Sequence, residues 1–193
     1  MTARPIIFAT PMVRALLAGG KTQTRRLATI ISHSRIGQTA SASIWHHVRS
    51  GDRLWVRESW HPGQAVADYE NRFRAAVHSI SYRASWELGP TLFGWRSPIH
   101  MPRAASRLTL TVAASRIERL QAITDADALA EGVPADLMDD KGIVHRNFRP
   151  VALMNFIRLW DTLHRAGAWD ANPEIVVITF KVAARNIDQM IAA

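Results

Sequence analysis

Cysteine is absent from the 193-residue chain. Its absence excludes a disulfide framework, a thiol nucleophile and every cysteine-based zinc or iron–sulfur site. No apolar run approaches the roughly 18 residues of a membrane span. The N-terminal MTARPIIFATPMVRALLAGGKTQTRR has no apolar core of about 7–15 residues followed by a small-residue cleavage site. The expectation is a protein neither exported nor embedded in a membrane, with the cytosol as default compartment. Acidic residues are the scarcer charged class, 16 against 24 lysines and arginines, for a formal net charge of +8. That surplus favours polyanionic or nucleotide ligands by long-range attraction.

The remaining composition is that of a folded domain. Hydrophobic residues at 48% and charged residues at 21% exclude disorder and low-complexity classes. At about 150 residues per domain, the length predicts a single domain over residues 1–193 with insertions.

Ile6-Ile7-Phe8 reads as a brief strand. Thr10 as cap, Pro11 at the first helical position and Gly19-Gly20 as stop predict a short helix buried through Met12, Val13, Leu16 and Leu17. From Arg26 to Ser50 no period is sustained, and a long loop is expected. Arg53–Glu58, Arg107–Val112 and Glu174–Val182 carry the alternation or β-branched content of strands. Thr124 followed three residues later by Asp127 forms a capping-box pattern opening a helix that stops at Gly132. Glu131 then faces the negative end of that helix dipole, an unfavourable place for a carboxylate without another partner. Val151–Arg165 predicts an amphipathic helix packed through Leu153, Met154, Ile157, Trp160 and Leu163. The regions at about 62–98, with Ser79–Ala84 as one strand, and at about 134–150 read as insertions. The predicted class is α+β around a largely antiparallel, curved sheet or small barrel.

The densest polar cluster is Gly19-Gly20-Lys21-Thr22-Gln23-Thr24-Arg25-Arg26. It fails as a Walker phosphate loop, because the first glycine is missing and the segment follows a helix rather than a strand. On composition alone it is a helix stop followed by a solvated basic strand. Taken with GDRLWVRESW, MPRAASRLTLTV, ITDADALAEGV, LWD and WDANPEIVVITFKV, however, GGKTQTRR resembles the ASCH family. The resemblance implies a PUA-like β-barrel with flanking helices. The longer layout is similar to a phage-associated branch. The G-x-K-T-x-T-x-R signature is similar to that of compact bacterial members that hydrolyse N4-acetylcytidine. Carried over, their lysine, threonine and glutamate fall on Lys21, Thr24 and Glu131 as catalytic residues, and Arg26 on their arginine.

The residue types permit such chemistry. A threonine hydroxyl becomes a nucleophile when a base takes its proton, and a lysine serves as base when burial or nearby cations lower its pKa. Arg25 and Arg26 are such cations, whereas Glu131 opposes the shift. Lys21 and Thr24, three apart, meet only if the strand begins with a bend, for which Gly19-Gly20 provide, since such residues lie on opposite faces of a regular strand. Glu58 and Trp60 are the expected base-recognition pair, one accepting hydrogen bonds and one stacking; paired with an arginine and packed away, they are structural. Arg103 and Arg107 are the expected phosphate-attracting rim. The eight histidines show no metal-ligand spacing, and no metal or cofactor is expected. The implied substrate is a modified pyrimidine nucleoside. The competing readings are an RNA-binding PUA-like module, with or without ribonuclease activity, and a phage accessory protein.

Overall fold

A computed structural model describes residues 2–34, 37–62, 80–87, 94–134, 137–138, 144–145 and 151–191. In chain order the elements are β1 (Ala3–Ile7), α1 (Thr10–Leu17), β2 (Gln23–Leu27), β3 (Thr29–Ser34), β4 (Gly37–Ala42), β5 (Arg53–Arg57), β6 (Trp60–His61) and β7 (Ser81–Tyr82). There follow β8 (Thr109–Arg119), α2 (Asp125–Ala130), β9 (Leu137–Met138), β10 (Val144–His145), α3 (Val151–His164), β11 (Glu174–Ala183) and α4 (Ile187–Ile191). The class is mixed α+β, with a multi-stranded sheet and few helices. Among the described residues no helix is long and apolar enough to cross a membrane.

The chain forms two compact units. The first comprises Met1–Ala18, Gly51–Thr111 and Lys181–Ala193. Here β5 lies between β1 and β8. Its pairing with β1 is parallel, Ala3↔Arg53 through Ile7↔Arg57, and its pairing with β8 is antiparallel, Arg53↔Thr111 through Trp55↔Thr109. Leu54, Val56, Leu108 and Leu110 are buried. One parallel pair among antiparallel ones is compatible with the expected largely antiparallel sheet. In α1, Ala9 rather than Thr10 occupies the N-cap and no side chain caps the helix, while Pro11 sits in the first turn as expected. Val13 and Leu16 are buried, but Leu17 is exposed.

The second unit comprises Gly19–Ser50 and Val112–Phe180. Here β11 lies between β8 and β2, antiparallel to β2 from Ile175↔Leu27 to Thr179↔Gln23. Its run Ile175–Ile178 is buried on both faces, as an interior strand rich in β-branched residues should be. Ile175 and Val177 join Leu120, Ile123, Ala128, Val133, Ala152, Phe156 and Trp160 in one core. The buried stripe of α3 is therefore Ala152, Phe156 and Trp160, at four-residue spacing. Met154 and Leu163, expected within it, are exposed. The expected loop after Arg26 instead contains the β3–β4 hairpin, paired from Thr29↔Ala42 to Ser34↔Gly37. Most of the two expected insertions lies outside the described residues. What is described there includes β7 paired with β6 and β10 paired with β9.

Candidate active site

The second unit brings Lys21 and Glu131 together. Gly19, at φ 74°, turns the chain after α1; a Cβ there would meet nothing within 4 Å, so the demand is for the dihedral and not for space. Lys21 then forms an isolated antiparallel bridge with Glu131. Thr22 donates its N–H to the Ala130 carbonyl at 2.9 Å and accepts from the Phe180 N–H at 2.9 Å, and β2 begins only at Gln23. Lys21 nevertheless shares the face of Gln23 and Arg25, since it and Arg25 both reach Glu131.

Lys21 is fully buried, with its Nζ donating to Glu131 Oε2 at 2.9 Å, the Glu131 carbonyl at 2.7 Å and the Gln23 carbonyl at 2.9 Å. Three acceptors match the three N–H bonds of an ammonium. Burial draws its pKa down; Glu131 works in the other direction, and the charges of Arg26 and Arg25 add to the lowering. The second oxygen of Glu131 accepts from Arg25 Nη1 at 3.2 Å. Arg25 also reaches Glu118 Oε1 at 3.1 Å and Asp127 Oδ2 at 3.4 Å, with Phe156 under its guanidinium at 5.8 Å. Glu131 is the C-cap of α2. Two buried cations explain why a carboxylate occupies the negative end of that helix: their full charges outweigh the partial charge of the dipole.

Alternation along β2 puts Gln23 and Arg25 on one face, toward the acids, and Thr24 and Arg26 on the other. Thr24 is 3% exposed and pairs in register with Ile178. The carbonyl that holds the Lys21 ammonium belongs to the peptide bond linking Gln23 to Thr24, so the ammonium sits beside the threonine's own backbone. Arg26 stacks over the Trp45 ring at 5.6 Å.

The first unit holds the other expected residues. Glu58, 1% exposed, accepts from Arg107 Nε at 2.9 Å and Nη2 at 3.0 Å, and that guanidinium lies 4.0 Å over the Tyr82 ring. Burial raises the Glu58 pKa against the opposing pull of Arg107. Both carboxylate oxygens expected to receive a base are therefore occupied by an arginine. Trp60 is 2% exposed with Arg96 over its ring at 5.6 Å, so its faces are covered rather than open for stacking. Arg103 pairs with Asp188 at 2.6 Å instead of standing as a bare cationic rim.

Arg25 is expected beside Lys21, but Gln23, Glu118 and Asp127 are not anticipated as members of the cluster. The i, i+2, i+4 spacing of Lys21, Gln23 and Arg25 was the available signal, because it places three polar groups on one strand face. Among the described residues no group of three histidine, aspartate or glutamate side chains could hold a metal ion.

Asp127 yields a pH prediction. Burial pushes its carboxyl up, but hydrogen bonds from Gln23 and from the Thr124 backbone and hydroxyl, with the Arg25 charge, prevail and hold it at about 2 against an ordinary 3.8. A depressed folded-state pKa means stability that is present above the ordinary value and is lost as pH falls toward the folded one. Urea midpoints should fall from about pH 3.8 toward pH 2, and Asp127→Asn should flatten that part of the profile. An unchanged profile in the variant would assign the acid limb to other carboxylates. In comparisons with known proteins, no family model, no curated protein and no solved structure matches this chain.

Proposed function

We propose that the chain is an amidohydrolase removing the acyl group from N4-acylcytidine-type nucleosides, on a PUA-like fold of the ASCH type. The observation that carries this reading is the buried Lys21–Glu131 pair, 2.9 Å apart, with the ammonium seated on the carbonyl that precedes Thr24. A fully hydrogen-bonded ammonium is not a base. Transfer of one proton from Nζ to Glu131 Oε2 makes it one, and burial favours the neutral pair. Because Thr24 leaves β2 on the face opposite Gln23 and Arg25, a bridging water carries its hydroxyl proton to the amine as Oγ1 attacks the acyl carbon. The C–N bond breaks, the leaving nitrogen takes a proton, and water hydrolyses the acyl-threonine to carboxylic acid and free hydroxyl.

The test is incubation of the purified protein with N4-acetylcytidine, with and without chelator. Release of cytidine and acetate at equal rates in both is the expected result; no release from a folded preparation would overturn the proposal. The net charge of +8 favours a second reading, an RNA-binding module. That reading requires affinity for single-stranded RNA that falls steeply with salt.

A further inference from the structure

The second unit contains a cleft of about 740 Å³ between Leu27, Thr29 and Ile30 on one side and the turn after α3 on the other. That size lies within the roughly 300–1,000 Å³ of small-molecule sites. Its apolar wall includes Trp160, Ala168 and Pro173, and none of Lys21, Thr24 or Glu131 lines it. Arg119 and Arg165 line it too, and among the described residues neither has a carboxylate within ion-pair distance. Among the described residues Glu174 is the one acid in the lining. His164, stacked on Trp160 at 4.1 Å, has its pKa lowered by burial and by Arg26.

The wall is built rather than loose. Asp161 accepts from the Trp169 N–H at 2.8 Å and the Gly167 N–H at 3.3 Å. Asn172, at φ 43°, accepts from Arg119 through its carbonyl at 3.3 Å and from the Gln121 N–H through its side chain at 2.9 Å. Arg165 itself is held at φ 141°, a conformation that non-glycine residues rarely adopt and that surrounding structure must enforce. The indole N–H of Trp160 is buried and finds no acceptor among the described residues, which adds an unsatisfied donor to the apolar wall.

We infer that this cleft binds a small phosphomonoester carried on an apolar ring system, with Arg119 and Arg165 on the phosphate and Leu27, Ile30 and Pro173 against the ring. Two guanidiniums facing one acid favour a dianion over a monoanion, and their planar forks suit phosphate oxygens. An apolar body of a few rings fills the space that inorganic phosphate alone leaves empty.

The experiment is calorimetric titration of the full chain with 1-naphthyl phosphate, 1-naphthol and inorganic phosphate. Saturable one-site binding of 1-naphthyl phosphate, tighter than either control, is expected. Arg119→Ala/Arg165→Ala should weaken it at least about tenfold, and Ala171→Trp, which narrows the cleft while keeping its charges, should weaken it as well. Circular dichroism identifies any variant that fails to fold, and the pair of variants attacks charge and space separately. Absence of saturable binding at millimolar ligand, equal binding of 1-naphthol, or an affinity indifferent to both folded variants would overturn the inference. Binding is read directly, so the result is independent of whether the chain hydrolyses N4-acetylcytidine.

Discussion

Glu131→Ala should lose about 3–5 kcal/mol of folding stability, the range for removing one partner of a buried ion pair. Its carboxylate, 4% exposed, is shared by Lys21 on one oxygen and Arg25 on the other. Alanine leaves both cations buried, and desolvation dominates once the compensating charge is gone. Lys21→Met should cost much less, since it removes a buried charge and leaves Glu131 with Arg25 at 3.2 Å. Glu131→Gln separates the contributions by keeping an acceptor while deleting the charge, and it should fall between the two. Urea unfolding at neutral pH checks the order. A Glu131→Ala protein within about 1 kcal/mol of the original would mean that water reaches the cations and that the cluster is not a dry site.

Much of this architecture was legible where side-chain pattern and backbone need coincide. The strand at Glu174–Ala183 announces itself through β-branched residues because both of its faces are covered. The capping box of Thr124 and Asp127 was readable because its two hydrogen bonds join residues three apart. The β3–β4 hairpin was not, since TIISHS and GQTASA carry no regular apolar alternation. In α3 the large residues misled: Leu163 and Met154 are exposed, while the small Ala152 packs with Phe156. Helical spacing selects a face, but the neighbouring strand decides which of two overlapping stripes is buried.

The candidate site divides along the same line. Local sequence sets Lys21 and Thr24 three residues apart, able to meet only at a bend, and identifies Glu131 as a carboxylate in need of a partner. It could not show that Lys21 and Arg25 are both partners, because those contacts cross 110 and 106 residues of chain. Glu58 shows the same limit: the sequence leaves base recognition and arginine pairing both open, because its bidentate partner Arg107 lies 49 residues away and one strand does not reveal what its neighbour presents.

Thr24→Ala should abolish hydrolysis of N4-acetylcytidine, a loss of about 10⁴-fold or more if the hydroxyl forms the acyl intermediate. Thr24→Ser is the decisive companion. Both substitutions remove the buried γ-methyl, at a stability cost of about 0.5–1.5 kcal/mol each, but only alanine removes the oxygen. A role confined to packing against the β11 neighbour would make the two variants alike in activity. A nucleophile separates them: the serine protein turns over and the alanine protein does not. Rates measured on preparations matched for folded fraction by urea titration make that comparison, and mass spectrometry of the serine protein during turnover should reveal acyl adduct on the peptide containing residue 24. Hydrolysis by the alanine protein at the original rate would assign the attack to water, leaving Lys21 and Glu131 to activate it and Thr24 to the core of the sheet.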